Sequence, residues 1–496
     1  MRVVWLLAVV GCGRLGFDAH GDGGGDGAGP DAPDVGYFIG PGGDDANPGT
    51  RHAPWRTITA AVPRLVPGDR LTLLDGDYDI RAVGLFDVDC MTVMNGTAAA
   101  PIVVRADHPR RARLFNGGRM IDLQHCAYWE FDDLFLDGQD DMTNTLGDVA
   151  TLYNDDHVTV RGLLVRHANR YNNNYCVDVG HSTNMLVEDV ETYECFRGGF
   201  SDYDSTGSIY HRIYSNGRGI ADAVGGYTST CPGGDTGLLS YYSRAATIED
   251  AIFEDACDAG LAITAGSVAT GDTGVGDNHS ITNVITLGPS ADGLLIASHC
   301  NTAQPCSTPD RYCSNNRISN SVAFGTSNGF HVQGVNNTLD HLTSIGVTGN
   351  AIQLDVETPA ALATASAMVG STLAVDGKVG FLAVSQTNWS FAQVDAFQTM
   401  TAFSPNDNHI SGGMTLDPQL GNCTAVLPPG SPMIGAGVGG TNLGADIRTL
   451  ASTGAPAWKP AWAGCGAVVA GVNDDPSTSC IGVHARLGVG AGCPQP

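Results

Sequence analysis

The sequence has little positive charge and almost no lysine. Its 496 residues include 25 lysines and arginines against 52 aspartates and glutamates, a formal net charge of −27, and Lys378 and Lys459 are its only lysines. A nucleic-acid-binding protein needs a basic surface to meet the phosphate backbone, so this composition argues against a nucleic-acid partner. The chain also lacks any run of 18 apolar residues, which excludes a membrane-spanning helix.

Charged residues are scarce overall, whereas glycine is abundant. Charged side chains make up 16% of the chain, hydrophobic side chains make up 42%, and there are 66 glycines. The chain is too rich in Val, Ile and Leu to be disordered overall. Abundant Gly, Asn, Thr and Ser with little charge favours many short strands joined by tight turns.

The first residues are typical of an exported lipoprotein. A short apolar run follows Met1 and Arg2 and ends in the letters VVGC at Cys12, which resembles a bacterial lipobox. We therefore predict a lipoprotein signal peptide over residues 1–12, with Cys12 as the lipidation site, and a flexible Gly/Asp-rich tether over 13–35. This interpretation predicts export and a lipid anchor on the bacterial cell envelope or outer surface. The alternative is an ordinary start with a chance cysteine.

The cysteines fit an oxidising compartment. There are 14 of them, and neither a CxxC motif nor a His/Cys zinc spacing occurs. Two groups, one in a polar insert and one in the tail, are predicted to form local disulfides whose pairing the sequence does not determine. These are Cys300, Cys306, Cys313, Cys465, Cys480 and Cys493.

A short segment repeats eight times without gaps. Each copy begins with an apolar or aromatic residue, and in five copies the third residue is Asp or Asn. The copies start at Phe131, Val160, Val187, Tyr210, Ile248, Ile281, Ile318 and Leu339. A second short strand with period-2 alternation accompanies these copies, often after a glycine. Because no helical stretch separates the strands, the pattern predicts a solenoid whose rungs stack about 4.8 Å apart.

Both ends of the repeat region resemble a known family. Residues 37–78 read YFIGPGGDDANPGTRHAPWRTITAAVPRLVPGDRLTLLDGDY and resemble the opening of right-handed parallel β-helix proteins of the pectate-lyase-like superfamily. The motifs DPQL, SPMIGAG and NLGADI, between 417 and 447, resemble the closing rungs of the same proteins. The resemblance implies an all-β fold, a single-stranded right-handed parallel β-helix over 36–450. A capping helix over 57–65 and a Cys-containing irregular C-terminal cap over 451–496 complete the predicted organisation.

Three insertions predict a groove on one side of the solenoid. All three are assigned to one rung position, between the second strand and the repeated segment, at 225–244, 266–279 and 298–314. Inserts at one rung position stack on one side and form a wall, although they could also be simple long loops. Tyr, Arg and His side chains there and on the groove floor suit sugar rings and carboxylates. The predicted substrate-binding residues are Tyr153, Tyr241, Tyr242, Arg244, His299 and Arg311.

Consecutive rungs should also bring a polar patch together. Counting back eight residues from the repeated segment places Asp178, His181, Tyr203 and Asp204 on adjacent rungs, within about 8 Å of each other. Such a patch could supply a base, an acid and a cation site, so these four are candidate catalytic residues. Asp178, Asp202 and Asp204 are candidate ligands for Ca²⁺. The alternative is that these polar residues simply face solvent.

Asp202 falls at a predicted inward position. A buried carboxylate is unfavourable unless it is paired, so either Asp202 has a function or the register slips at this rung.

Four arginines precede the same strand in consecutive or nearby rungs, at Arg119, Arg170, Arg197 and Arg218. They could bind a uronate or pair with neighbouring acidic residues. Lyases of the resembling superfamily commonly use Ca²⁺ held by Asp or Glu, with a Lys or Arg base. Neither lysine of this chain lies among the central rungs, so Arg197, Arg218 or the pair of His181 and Tyr203 would have to replace it.

These observations predict a monomeric, surface-anchored, carbohydrate-active protein that binds an acidic, uronic-acid-containing polysaccharide. The reaction stays open between β-elimination and epimerisation of a uronate, and the chain could also be a non-catalytic binding or adhesive β-helix. A glycoside hydrolase would need only carboxylates, but polygalacturonase-like motifs are absent from their expected places. The superfamily includes enzymes and non-enzymes, so the resemblance is specific for fold and not for activity.

Overall fold

The computed structural model shows two long parallel β-sheets wound into a right-handed parallel β-helix. It describes residues 36–138, 147–168, 174–217, 236–266, 274–288, 290–299, 313–355, 367–375, 379–383, 389–399, 401–403, 410–420 and 427–445. No helix within these ranges is long and apolar enough to cross a membrane.

The described strands are short, and every strand pairing is parallel. In chain order they are β1 (Tyr37–Ile39), β2 (Arg70–Leu73), β3 (Gly76–Asp79), β4 (Phe86–Asp89), β5 (Ile102–Ala106), β6 (Ala112–Phe115), β7 (Ile121–Gln124), β8 (Trp129–Asp132), β9 (Phe135–Asp137), β10 (Ala150–Tyr153), β11 (Thr159–Arg161), β12 (Leu164–Arg166), β13 (Tyr175–Gly180), β14 (Leu186–Glu188), β15 (Glu191–Tyr193), β16 (Gly198–Tyr203), β17 (Ile209–His211), β18 (Tyr214–Asn216), β19 (Thr236–Tyr241), β20 (Thr247–Glu254), β21 (Ala259–Gly266), β22 (Gly276–Asp277), β23 (Ser280–Leu287), β24 (Asp292–His299), β25 (Cys313–Ser314), β26 (Arg317–Phe324), β27 (Asn328–Gln333), β28 (Asn337–Ile345), β29 (Asn350–Asp355), β30 (Ala367–Val375), β31 (Val379–Ala383), β32 (Trp389–Phe397), β33 (Thr401–Phe403) and β34 (Ile410–Met414). The described helices are α1 (Ile58–Ala61) and α2 (Ile80–Val83), and 3-10 turns span Val62–Arg64 and Val438–Gly440.

The predicted capping helix is present as α1 followed by the first 3-10 turn. The Thr57 hydroxyl accepts a hydrogen bond from the Ala60 amide at 3.1 Å, which caps the helix N-terminus. Ile58 and Ala61 are buried in the main hydrophobic core. The helix therefore covers the first rungs, as the resemblance implied.

One sheet has twelve strands and the other has twenty. The twelve-stranded sheet stacks β4, β7, β10, β13, β16, β19, β21, β24, β27, β29, β31 and β33 in that order. Its inward residues are aligned as predicted, because Leu152 pairs with both Leu123 and Val179, and Val179 pairs with Asp202. The register deduced from the sequence is therefore confirmed through these four rungs.

The repeated Asp or Asn marks a bend within the twenty-stranded sheet. Asp133, Asp189 and Asp250 have φ values of 60°, 56° and 56°, and Asn283 and Asn320 have 57° and 47°. This left-handed conformation is unfavourable for most side chains but accessible to Asp and Asn. Amide hydrogen bonds also join successive corners, since Asn320 donates to Asn283 at 2.6 Å. The repeat signature is therefore a corner, and the long strands from β20 onward continue through it.

Glycines near the start of strands in the twelve-stranded sheet have a packing role. A Cβ at Gly260 would lie 2.5 Å from Thr286 Cγ2, and one at Gly329 would lie 2.2 Å from Ser344 Oγ. Both glycines therefore let the twelve-stranded sheet approach the inner side of the twenty-stranded sheet.

The insertions do not all occupy one rung position. Strand β19 lies within the predicted insertion 225–244, so the chain 218–235 connects β18 to β19, ahead of the twelve-stranded sheet. The segments 267–273 and 300–312 instead follow strands of that sheet, as predicted. The prediction is wrong for the first insertion, because repeat spacing measures a whole rung and not which corner is longer.

The predicted closing rungs are not rungs. Residues 427–445 contain turns but no strand, and they cross the outer side of the twenty-stranded sheet. Met433 and Leu443 pack there with Leu373, and the Ala445 amide donates to Thr343 Oγ1 at 2.8 Å. Their apolar residues therefore cover the outside of the solenoid.

Within the described part of the chain, disulfides join Cys90 to Cys126 and Cys176 to Cys195, and Cys257 is also disulfide-bonded. Cys313, predicted to form a local disulfide, is instead a buried thiol that donates to the Ala297 carbonyl at 3.2 Å. The other cysteines predicted to form local disulfides lie outside the described residues. The predicted signal peptide, tether and C-terminal cap also lie outside them.

Candidate functional site

Four aromatic rings form a ladder on the outward side of the twelve-stranded sheet. We call Tyr153, His181, Tyr203 and Tyr241 the aromatic ladder. The His181 ring meets Tyr153 edge-on at 4.9 Å between centroids and Tyr203 at 5.2 Å, and Tyr203 stacks on Tyr241 at 5.7 Å. All four residues are half-buried. Because the rungs are about 4.8 Å apart, neighbouring rings touch and leave a continuous aromatic surface.

Gly180 makes this arrangement possible. It lies in register between Tyr153 and Tyr203. A Cβ at Gly180 would lie 2.1 Å from Tyr153 Cε2, so only glycine leaves room for that ring. His181 follows at a left-handed corner, with φ 50°, and its ring fills the place between the two tyrosines.

Tyr242 supports the end of the ladder. It is 2% exposed, and its hydroxyl donates to the Tyr241 hydroxyl at 2.7 Å. The two rings are tilted, with centroids 3.9 Å apart. Tyr242, predicted to bind substrate directly, is therefore a buried contact that fixes Tyr241.

His181 and Asp204 form a hydrogen-bonded pair. His181 Nδ1 lies 3.1 Å from Asp204 Oδ2, and the two side chains are 30% and 7% exposed. With the carboxylate as acceptor, Nδ1 carries the proton and Nε2 is left to accept one. The arrangement is that of a general base oriented by a carboxylate.

Asp178 faces a second carboxyl group, that of Asp148. Burial and the charge of Asp178 raise the pKa of Asp148 to about 7, and burial raises the pKa of Asp178. The Tyr175 amide donates to Asp148 Oδ1 at 2.5 Å, and Ser201 hydrogen-bonds Asp178. We call Asp148 and Asp178 the carboxyl pair. Two close carboxyls favour one shared proton, so the pair can hold a proton near neutral pH.

Unsatisfied polar atoms line the same patch. Thr151 Oγ1 and Arg119 Nε are buried without a hydrogen-bond partner among the described residues. Thr151 is in register with Asp178, while Arg119 Nη1 donates to Asp122 Oδ2 at 2.5 Å. Buried polar groups in proteins are nearly always hydrogen-bonded. Such atoms beside the carboxyl pair indicate a place for a polar ligand.

The three predicted Ca²⁺ ligands do not come together. Asp202 points inward, fully buried, and its Oδ1 accepts a hydrogen bond from Ser208 at 3.0 Å. Burial raises the pKa of Asp202 to about 6. Asp178 lies on the outward side of its strand, and Asp204 is paired with His181. These residues therefore do not fit one calcium ion, and the register at Asp202 does not slip.

The predicted arginines lie apart from the aromatic ladder. Arg197 Nε donates to the Tyr175 hydroxyl at 3.3 Å. Arg197 also precedes β16, whereas Tyr203 ends it, so at a rise of about 3.3 Å per residue the two residues lie roughly 20 Å apart. Arg244 pairs with Asp277 at 3.7 Å, beyond the corner. Arg170, Arg218, Arg311, the His299 side chain and Cys12 lie outside what the structure describes.

The sequence analysis did not single out Asp148 as a site residue, and it named Arg119 only as one of the arginines that could bind a uronate. Each lies three residues ahead of an outward position of its rung, outside the short pattern used to align the rungs. Strand register could have found both residues. Tyr175 lies three residues ahead of the outward Asp178, just as Arg119 and Asp148 lie three residues ahead of Asp122 and Thr151.

Comparisons with known proteins leave the activity open. A family model described as a protein of unknown function (DUF1565) matches residues 41–91. No curated protein matches the sequence.

Similar solved structures include three matches of low identity. XylC in complex with xylose has 7% identity and a TM-score of 0.51, covering 78% of this chain and 87% of that one. Pectate lyase Pel9A has 17% identity and a TM-score of 0.46, and the match covers 83% of this chain and 95% of that one. The PL6 family polysaccharide lyase Pedsa3628 from Pseudopedobacter saltans has 14% identity and a TM-score of 0.48, and the match covers 72% of this chain and 90% of that one. The fold and the surface define a parallel β-helix with an aromatic and carboxyl-lined outer face.

Proposed function

We propose that the protein is an exported β-helix that binds an acidic, uronic-acid-containing polysaccharide along the aromatic ladder and cleaves it by β-elimination. The observation that carries this proposal is the pair of His181 and Asp204 set between two tyrosine rings. Tyrosine rings suit the apolar faces of sugars, and their hydroxyls suit the polar edges.

His181 is the proposed base. In β-elimination the base takes the proton from C5 of the uronate, the bond from C4 to the glycosidic oxygen breaks, and a C4–C5 double bond forms. His181 Nε2 takes the proton, and Asp204 stabilises the imidazolium that results. The Tyr203 hydroxyl is the proposed acid that protonates the departing oxygen.

The carboxyl pair and Arg119 are the proposed partners of the uronate carboxylate. A neutralised carboxylate makes the C5 proton more acidic, so a donor must face it. A shared proton on Asp148 and Asp178 can donate to one carboxylate oxygen, and the guanidinium of Arg119 supplies positive charge. Epimerisation would use the same proton abstraction and return a proton from the opposite face.

Export and anchoring through Cys12 are part of the proposal. The disulfides support it, since disulfides persist mainly in oxidising compartments.

The first experiment compares His181→Asn with His125→Asn. His125 occupies the same corner, two rungs earlier, with φ 58° and Nδ1 3.3 Å from Asp89 Oδ1. Asn154, between them, shows that asparagine is accepted at this corner with φ 58°. Using a panel of uronic-acid polymers, we expect H181N to lower the formation of unsaturated product by about 10²–10⁴-fold and H125N to leave it unchanged.

The outcomes separate the alternatives. Equal activity of H181N and H125N would overturn the proposed base. New reducing ends without unsaturated product would assign hydrolysis, and isotope exchange at C5 without chain cleavage would assign epimerisation. Binding without any reaction, weakened by Tyr241→Ala, would assign a non-catalytic binding protein. Failure to bind any polymer of the panel would overturn the whole proposal.

A further inference from the structure

A second polar cluster lies on the same outward face, nearer the C-terminus. It occupies three consecutive rungs, β24, β27 and β29, and three outward columns in register. We call it the His331 cluster. Its members are Asp292, Asn328, His331, Gln333, Asn350, Gln353 and Asp355.

His331 lies between two carboxylates and hydrogen-bonds one of them. Its Nε2 lies 2.9 Å from Asp355 Oδ1, whereas its Nδ1, 3.5 Å from Asp292 Oδ1, is buried without a hydrogen-bond partner among the described residues. The three side chains are 12–18% exposed, so they are largely buried but still reach the surface. A ring fixed by two carboxylates loses little freedom when a ligand binds.

Amide side chains surround the two carboxylates. Gln353 Nε2 donates to Asp355 Oδ2 at 2.6 Å, and Gln333 Nε2 donates to Asp355 Oδ1 at 2.9 Å. Asn328 Nδ2 donates to Asp292 Oδ1 at 3.0 Å. The cluster therefore presents fixed donors and acceptors side by side.

The cluster carries a net negative charge. Burial lowers the pKa of His331, but its interactions with Asp292 and Asp355 outweigh it and raise this pKa to about 9. The imidazolium and two carboxylates together leave a net negative charge at neutral pH. An uncharged hydroxyl can both donate to a carboxylate and accept from an amide.

Apolar and small residues separate this cluster from the aromatic ladder. The outward column between them reads Leu239, Ala262 and Leu295, and His331 is next in register. Gln333 lies three rung-to-rung steps beyond Tyr241, a distance of about 14 Å at the usual strand spacing. The polar cluster is therefore a distinct patch and not a continuation of a generally polar face.

We propose that the His331 cluster is a second carbohydrate-binding site, which takes a neutral sugar through adjacent hydroxyl groups. The carboxylates of Asp292 and Asp355 accept from the hydroxyls, and the amides of Gln333 and Gln353 donate to them. This site does not depend on the reaction proposed for His181.

The test is calorimetric titration with neutral oligosaccharides of glucose, galactose, xylose and rhamnose. Gln353→Leu keeps the side-chain volume and removes its hydrogen-bonding groups. Gln124→Leu is the matched control, because Gln124 lies on the same sheet face near its other end. We expect at least one neutral series to bind, Q353L to weaken that binding at least tenfold, and Q124L to leave it unchanged.

A second measurement uses the unaltered protein. Ring resonances of His331 should shift when the bound sugar is added, while those of His341, on the other sheet, should not. No binding by any neutral series, equal binding by Q353L and wild type, or an unmoved His331 resonance would overturn the proposal. His181→Asn should leave neutral-sugar binding intact, so failure of this site and failure of the proposed elimination are distinguishable.

Discussion

Two aspartate sites, one on the outward face of each long sheet, have opposite surroundings. On the twenty-stranded sheet, Asp137 accepts hydrogen bonds from Arg113 at 2.7 Å and Arg166 at 3.0 Å, and lies 2.8 Å from His167 Nδ1. On the twelve-stranded sheet, Asp148 and Asp178 face each other instead. Asp137 therefore belongs to a set of ion pairs, whereas the carboxyl pair leaves two like charges together.

The pKa values follow this difference. Burial raises the pKa of Asp137, but hydrogen bonds from His167 and Arg113 and the charge of Arg166 lower it to about 2. Burial and the charge of Asp178 raise the pKa of Asp148 to about 7. The same residue type therefore stabilises the fold on one sheet and holds a proton on the other, because its partners differ.

The largest expected effect comes from neutralising one aspartate on each face. Asp137→Asn leaves largely buried cations without their carboxylate, so we expect the free energy of unfolding to fall by about 3 kcal/mol. Asp178→Asn removes a repulsion and should change it by less than about 1 kcal/mol in either direction. Urea denaturation measures both, and equal losses would show that the two faces do not differ. The Asp137 contribution is present above pH 3.8 and is lost as the pH falls through 2.

An intermediate effect is expected at Gly180. Gly180→Ala pushes the Tyr153 ring out of the aromatic ladder and should lower the free energy of unfolding by about 1–3 kcal/mol. Gly42→Ala is the control, because no atom lies within 4 Å of a Cβ there. Thermal unfolding and polymer binding should both respond to G180A only. A G180A variant that matches G42A in both would show that the ring does not depend on this glycine.

The smallest effect is a pH dependence of the twenty-stranded face. Burial lowers the pKa of His167, but hydrogen bonds with Asp137 and Glu194 raise it to about 9. A raised pKa means that the stabilisation is complete below pH 6.5 and is lost as the pH rises through 9. We expect each such histidine to contribute about 1 kcal/mol.

Unfolding measured from pH 6 to pH 10 checks this. The His167→Asn variant should show a shallower loss of stability than wild type between about pH 6.5 and pH 9. The His108→Asn variant should keep the wild-type slope, since His108 is 67% exposed. Identical slopes in all three proteins would contradict the assignment.

The rungs and their register were predictable because they depend on local patterns. Period-2 alternation identified Leu123, Leu152 and Val179 as inward residues, and the recurring Asp or Asn identified a residue that later proved to be a corner. The outward placement of Asp178, His181 and Tyr203 followed from the same register. The insertion predicted at 225–244 was misplaced, because the spacing between repeats does not say which corner of the rung is longer.

Other features depended on contacts between distant residues. The crossing of 427–445 over the twenty-stranded sheet was not predictable, because apolar residues such as Met433 and Leu443 can pack on any apolar surface. The carboxyl pair and the His331 cluster arise only when strands separated by 22–36 residues become neighbours. Their chemistry therefore depends on stacking and not on any local motif.

The sequence by itself determined a parallel β-helix, because alternation and corner residues are local requirements repeated in every rung. It also determined which residues point outward. Only the tertiary structure decided which outward residues are matched by partners and which are left beside like charges. That distinction depends on distances of a few ångströms between successive rungs, and those distances are set by side-chain packing across strands.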